Sequence, residues 1–177
     1  MTLARRRFLS LPLGIAPALG HAAPRPLLVG RYGADRMKSI KGLTFPRVHL
    51  YDRAGKLVDR QAWPKELEAL KKNAGDAFCC VSDKPAPPGS LGPPPDCKRI
   101  VYGENVLEHF VGLRDLAGRP ITYAGLPAHR YLVVEYYADW CSPCIPARRA
   151  LEAFLESPAA KGYVALAVDF SSLVSAK

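Results

Sequence analysis

The sequence predicts an α/β fold, a central sheet flanked by helices, and three observations carry that prediction. Arg130 to Asp139 reads as a buried strand, Trp140-Cys141-Ser142-Pro143-Cys144 follows it at once, and an amphipathic helix follows the cysteines. Tyr163 to Asp169 is an unbroken apolar run of strand length, the pattern of a strand covered on both faces in a parallel sheet. Arg47 to Gln61 reads as a hairpin with a second amphipathic helix behind it.

Residues 1–22 read as an address and not as fold. Arg5-Arg6-Arg7-Phe8-Leu9, a weakly apolar run from Leu11 to Leu19, and Gly20-His21-Ala22-Ala23 give the basic, apolar, small-residue order of an export signal. The paired arginines resemble a twin-arginine signal, with Ala4 where Ser or Thr is usual. Cleavage is expected near Ala22. No later run is long enough to span a membrane.

The first structured block covers 26–75. Pro26 to Tyr32 holds a short strand and Ala34 to Lys41 a short helix. Arg47 to Tyr51 is a strand with Val48 and Leu50 on one face. Asp52-Arg53-Ala54-Gly55 is turn chemistry, and Lys56 to Gln61 is the partner strand. Trp63 to Asn73 reads as a helix, with Pro64 in its first turn, Lys71 and Lys72 late and Gly75 beyond. Its apolar stripe is Trp63, Leu67, Leu70 and Ala74. Residues 76–99 form a linker. Six prolines between Pro85 and Pro95 forbid a core element there and fit an extended spacer.

The second block covers 100–177. Phe110 to Tyr123 reads as a hairpin, followed by the strand at 131–137, the cysteines, and a helix with Ala147, Ala150, Leu151, Phe154 and Leu155 on one side. Pro146 is tolerated because it falls in the first turn.

The chain has 177 residues and a formal charge of +9, enough for one core. Loss of the signal removes Arg5, Arg6 and Arg7 and leaves a moderately basic protein. The basic residues are scattered, with no stripe of interleaved aromatics, which argues against nucleic acid. His49, His109 and His129 have no metal-ligand spacing and read as surface or hairpin residues.

Five cysteines in an exported chain imply bridges, because an oxidising compartment preserves them. Adjacent Cys79 and Cys80 do not readily bridge each other, so Cys97 is expected to pair with one of them. That bridge closes a loop of roughly 17 residues and adds about 3 kcal/mol in the chain-entropy account. Cys141 and Cys144 form the other pair. Two intervening residues at a helix start hold Cα atoms about 5–6 Å apart, which suits a bridge. Unpaired N–H groups and the positive dipole end there favour a thiolate, so Cys141 is expected to attack and Cys144 to resolve. An inert bridge or a metal pair is the competing reading, and the strand–CxxC–helix context favours redox chemistry.

The run Val133-Val134-Glu135-Tyr136-Tyr137-Ala138-Asp139-Trp140-Cys141-Ser142-Pro143-Cys144 resembles the thioredoxin superfamily. Its Tyr-Ala-Asp-Trp-Cys segment resembles the C-terminal domain of transmembrane disulfide reductases. The Phe110–Tyr123 hairpin resembles the periplasmic TlpA-like branch, including the reductases of cytochrome c maturation. The resemblance implies a three-layer fold with a mixed sheet. That fold needs a strand, a helix, a hairpin and a last helix after the active site, and only the first of these follows Cys144. Phe45-Pro46, Asp52 and Gly55-Lys56-Leu57-Val58 resemble the family's cis-proline strand and the hairpin after it, and Trp63 to Asn73 its last helix. The expected fold is therefore circularly permuted: residues 26–75 supply the cis-proline hairpin and last helix, 76–99 join the old ends, and 100–177 carry the CxxC half.

The resemblance also implies roles. Cys141 matches the exposed nucleophile, Cys144 the buried resolving thiol, Trp140 the tryptophan sheltering them, and Pro46 the cis-proline against the disulfide. Glu135 matches a buried aspartate. A carboxyl group buried there should have a raised pKa and could take the proton from Cys144. Many TlpA-like proteins carry a neutral residue at that position.

The expected function is a periplasmic thiol–disulfide oxidoreductase working through a mixed disulfide at Cys141, with the resemblance favouring a reductase over an oxidant. No cofactor beyond the Cys141–Cys144 pair is expected. Expected partners are protein thiols or disulfides and a membrane or periplasmic redox partner. A copper(I) carrier using the two cysteines and a non-catalytic adaptor are the alternatives.

Overall fold

The computed structural model describes residues 27–40, 45–74, 79–81, 98–100 and 103–176, with backbone alone for 38, 79–81, 98–100 and 174–176. The signal read over 1–22 and the proline-rich spacer of 83–96 lie outside the described residues. So does Cys97, and with it the expected pairing to Cys79 or Cys80.

The elements follow one another along the chain as β1 (Leu27–Tyr32), α1 (Ala34–Ser39), β2 (Arg47–Asp52), α2 (Glu68–Asn73), β3 (Cys79–Val81), β4 (Lys98–Ile100), β5 (Leu113–Asp115), β6 (Tyr131–Tyr137), α3 (Cys144–Glu156) and β7 (Tyr163–Asp169). Five strands make one mixed sheet in the order β2-β6-β7-β1-β5, while β3 and β4 pair antiparallel with each other. β7 lies parallel to β6 on one side and to β1 on the other. Antiparallel β2 covers the outer edge of β6, and antiparallel β5 that of β1.

Alternation along the strands builds a core on each face. One face joins Val48, Leu50, Val133 and Ala165 to Trp63, Leu67, Leu70 and Ala74 around α2 and to Leu151, Phe154 and Leu155 of α3. The other joins Leu132, Val134, Tyr136, Leu166 and Val168 to Met37 and Ile40 around α1, to Val106 and Phe170, and to both CxxC cysteines. Each fully buried Leu or Val contributes about 1.5–3 kcal/mol of transfer free energy. All seven residues of β7 are buried, as its unbroken apolar run predicts.

Three local expectations are corrected. The segment Trp63 to Asn73 is not one helix. A 3₁₀ turn at Lys65–Leu67 precedes α2, because Trp63 and Pro64 are extended and proline supplies no N–H to start a longer helix. The carbonyls at the end of α2 are met by Arg60, which donates to Lys71 and to Ala74 at 2.5 Å. Lys56 to Gln61 forms no full strand: Val58 N–H reaches Leu50 at 2.8 Å, and then Asp59 caps a 3₁₀ turn at Arg60–Ala62. The hairpin read over Phe110–Tyr123 is short. Its arms are β5 and the Pro120–Ile121 stretch, closed by Ile121 N–H to Leu113 at 3.0 Å, and 3₁₀ turns at Val106–Phe110 and Tyr123–Gly125 replace its ends.

Candidate active site

Cys141 and Cys144 stand where β6 leaves the sheet. Their sulfurs are bonded, with Cα atoms 5.3 Å apart. The chain turns there through Cys141 N–H to Ala138 at 3.0 Å and Cys144 N–H to Cys141 at 2.9 Å. α3 starts at Cys144 with Pro143 as its cap. Cys141 thus precedes the helix and does not sit on its first turn, because Ser142-Pro143 forms a separate tight turn. Neither cysteine is exposed in the bonded state: Cys141 is 5% accessible and Cys144 3%. The surface beside them is apolar, with Trp140 48% and Ile145 51% exposed.

Phe45 brings the first block to this point. Its ring meets Trp140 edge to face at 5.5 Å and Phe170 at 5.4 Å. The Phe45–Pro46 peptide bond is cis, and Pro46 is buried at the start of β2. Pairing of Arg47 with Tyr136 holds this end of β2 beside the end of β6 that leads into the cysteines.

Glu135 is fully buried on the opposite face of β6 from Tyr136. Arg148 Nε stands 2.9 Å from its Oε2. The separation is that of an ion pair, and the N–H is turned off the hydrogen-bond line. The Arg148 guanidinium also lies 4.0 Å from the centre of the Tyr137 ring. Burial pushes the Glu135 carboxyl up to about 7, with Arg148 opposing and Glu152 adding to the rise. Arg148 is only 17% exposed, because the buried carboxylate draws it inward. Arg148 and Cys144 line the same cavity of about 300 Å³, together with Tyr137, Asp139 and Glu152. Asp139 itself is exposed, and its N–H is held by Ser171 Oγ at 2.9 Å.

A second polar cluster escaped the sequence reading. His49 and His109 are buried, so of the surface and hairpin placements read for them the surface one is corrected, and His49 lies within β2. His109 Nδ1 and Tyr136 OH are 2.5 Å apart, and His109 Nε2 meets Tyr51 OH, which donates to the Gly103 carbonyl. Tyr32 OH donates to the His109 carbonyl at 2.7 Å. Burial first, then the charges of His49 and Arg47, hold His109 well below the ordinary imidazole value. Burial and Arg47 push His49 down to about 3, and neither of its ring nitrogens has a hydrogen-bond partner among the described residues. The signal was present in β2: Arg47, His49 and Tyr51 alternate with Val48 and Leu50, and both faces are covered.

Among the described residues no group of three or more His, Cys, Asp or Glu side chains is placed to hold a metal ion, and no helix is long and apolar enough to cross a membrane. Compared with known proteins, the chain matches no family model, no curated protein and no solved structure.

Proposed function

We propose that this chain is an exported thiol–disulfide oxidoreductase of thioredoxin-like, circularly permuted architecture. One observation carries the reading: a CxxC disulfide at the end of a central parallel strand, flanked by exposed Trp140 and Ile145 and leading into a helix whose Arg148 reaches buried Glu135. The permutation is supported by β2, which comes from the first block, caps the edge of β6 and brings Phe45 onto Trp140. The packing of α2 beside α3 on one face supports its assignment as the last helix.

In the reducing direction, which the resemblance favours, the Cys141 thiolate attacks one sulfur of a substrate disulfide. A Cys141–substrate bond forms, the substrate S–S bond breaks, and one substrate thiolate leaves. Cys144 then loses its proton and attacks Cys141 Sγ. The Cys141–Cys144 bond forms and the second substrate thiolate leaves, so two electrons pass to the substrate. Glu135 is the proton acceptor for Cys144, because its carboxyl titrates near neutrality and Arg148 connects it to the cavity beside that sulfur. A cavity of that size has room for a bridging water. An external dithiol restores the reduced pair. The basic signal at 1–22 supports a periplasmic setting.

The test is alkylation of the reduced protein across pH. Cys141 should label first, with an apparent pKa below the free-thiol value of about 8.5, while Cys144 labels slowly. Equal labelling of both thiols with an unshifted titration would overturn the assignment.

A further inference from the structure

We propose that a cleft at the far end of the sheet, bordered by Arg53, His129 and Arg130, binds a phosphoryl oxyanion carried on a small organic body. The cleft has a volume of about 630 Å³, within the range of small-ligand sites. Three basic side chains line it and no carboxylate does. Arg31, Arg119 and Arg148 each meet an acid within 3 Å, whereas Arg53 and Arg130 meet none among the described residues. The positive charge there is uncompensated, which is the arrangement that draws an anion.

The walls are positioned by the fold. Asp52 Oδ1 accepts from Ala54 N–H at 2.9 Å and Lys56 N–H at 3.0 Å, fixing the turn that presents Arg53. Arg130 is held by its N–H to Gly162 at 2.7 Å, and its guanidinium lies 5.2 Å from the centre of the Tyr131 ring. His129 Nδ1 is 2.8 Å from the Pro127 carbonyl. A carbonyl only accepts, so Nδ1 carries the proton. His129 Nε2 is buried with no partner among the described residues.

Two guanidinium forks, from Arg53 and Arg130, match the several oxygens of a phosphoryl group better than one lysine would. Tyr123, Leu126 and Pro127 supply an apolar wall for the attached body. The site touches the start of β6, and the cysteines follow its other end. Seven residues of strand put the two roughly 23 Å apart, so a ligand here anchors or senses without covering Cys141. The proposal does not rest on the redox reading.

Inorganic phosphate titrated into the full chain, with chloride at matched ionic strength as control, tests the site by NMR of the His129 imidazole. A saturable shift specific to phosphate is expected, weakened about tenfold or more in R53Q/R130Q with an unchanged melting temperature. Sedimentation with phosphatidylglycerol-containing vesicles, against phosphatidylcholine alone, separates the sources. Pelleting that R53Q/R130Q abolishes assigns a lipid headgroup, and phosphate binding without pelleting assigns a soluble phosphate ester. Absence of both, shifts that chloride reproduces, or shifts unchanged in the double variant would overturn the proposal.

Discussion

Phe45 and Trp140 meet edge to face, ring centroids 5.5 Å apart, and the contact joins the residue two before β2 to the residue before Cys141. The two lie in opposite halves of the chain. Phe170, just past β7, touches Phe45 as well, so three segments converge beside the disulfide.

Removing that ring should loosen the site from one side only. Phe45→Ala is expected to cost about 2–4 kcal/mol in urea unfolding and to change the fluorescence of Trp140. It should also alter Cys141 alkylation rates, and Phe45→Leu should recover most of the stability. Unchanged fluorescence and thiol reactivity in Phe45→Ala would show that the contact does not position the site.

Glu135 should make stability fall as pH rises. Its folded pKa of about 7 stands above the ordinary value of 4.5. The unfolded carboxyl therefore ionises first, and the contribution present below 4.5 is lost as pH rises through 7. Glu135→Gln should be more stable than the parent at pH 8, by up to about 3 kcal/mol, and the difference should close between pH 7 and 4.5. Thermal melts across that range measure it, and a gap constant with pH would contradict the raised value.

The two buried histidines should respond in opposite ways. His109→Ala strips partners from the Tyr51 and Tyr136 hydroxyls and should cost about 2–4 kcal/mol. His49→Leu removes an imidazole with no hydrogen-bond partner among the described residues and should be neutral or stabilising near pH 7. Its advantage should widen as pH falls from 6.5 toward 3, where unfolded His49 takes a proton and folded His49 does not. Denaturant titrations at pH 7 and pH 5 separate these outcomes.

A fragment of residues 100–177 should be insoluble or molten. It retains β6 and β7 but loses β2 and β1, which cover their outer edges. Bare edges of Val133-, Val134- and Leu166-rich strands are templates for association. Well-dispersed amide NMR signals from the soluble fragment would contradict this dependence on the first block.

Long or strongly patterned elements were legible in the sequence. β7 announces itself by an unbroken apolar run, α3 by its apolar stripe after Pro143, and β2 by alternation ending in turn residues. What stayed hidden depends on contacts between distant segments. Nothing local in Val106–Phe110 says that His109 will cover β2 and meet Tyr51 and Tyr136. Nothing local in α3 says that Arg148 folds back to Glu135 while Arg149 stays in solvent. The helix read from Trp63 failed because Pro64, suitable for a first turn, here breaks the segment into two short pieces.

The central claim is that Cys141 forms the bond to substrate and Cys144 breaks it. Non-reducing gels with mass-spectrometric mapping, run on Cys144→Ser and Cys141→Ser proteins recovered from their native compartment, read this directly. Cys144→Ser should accumulate mixed disulfides at Cys141, and Cys141→Ser should accumulate none. Mixed disulfides equally abundant on both variants, or absent from both, would contradict it.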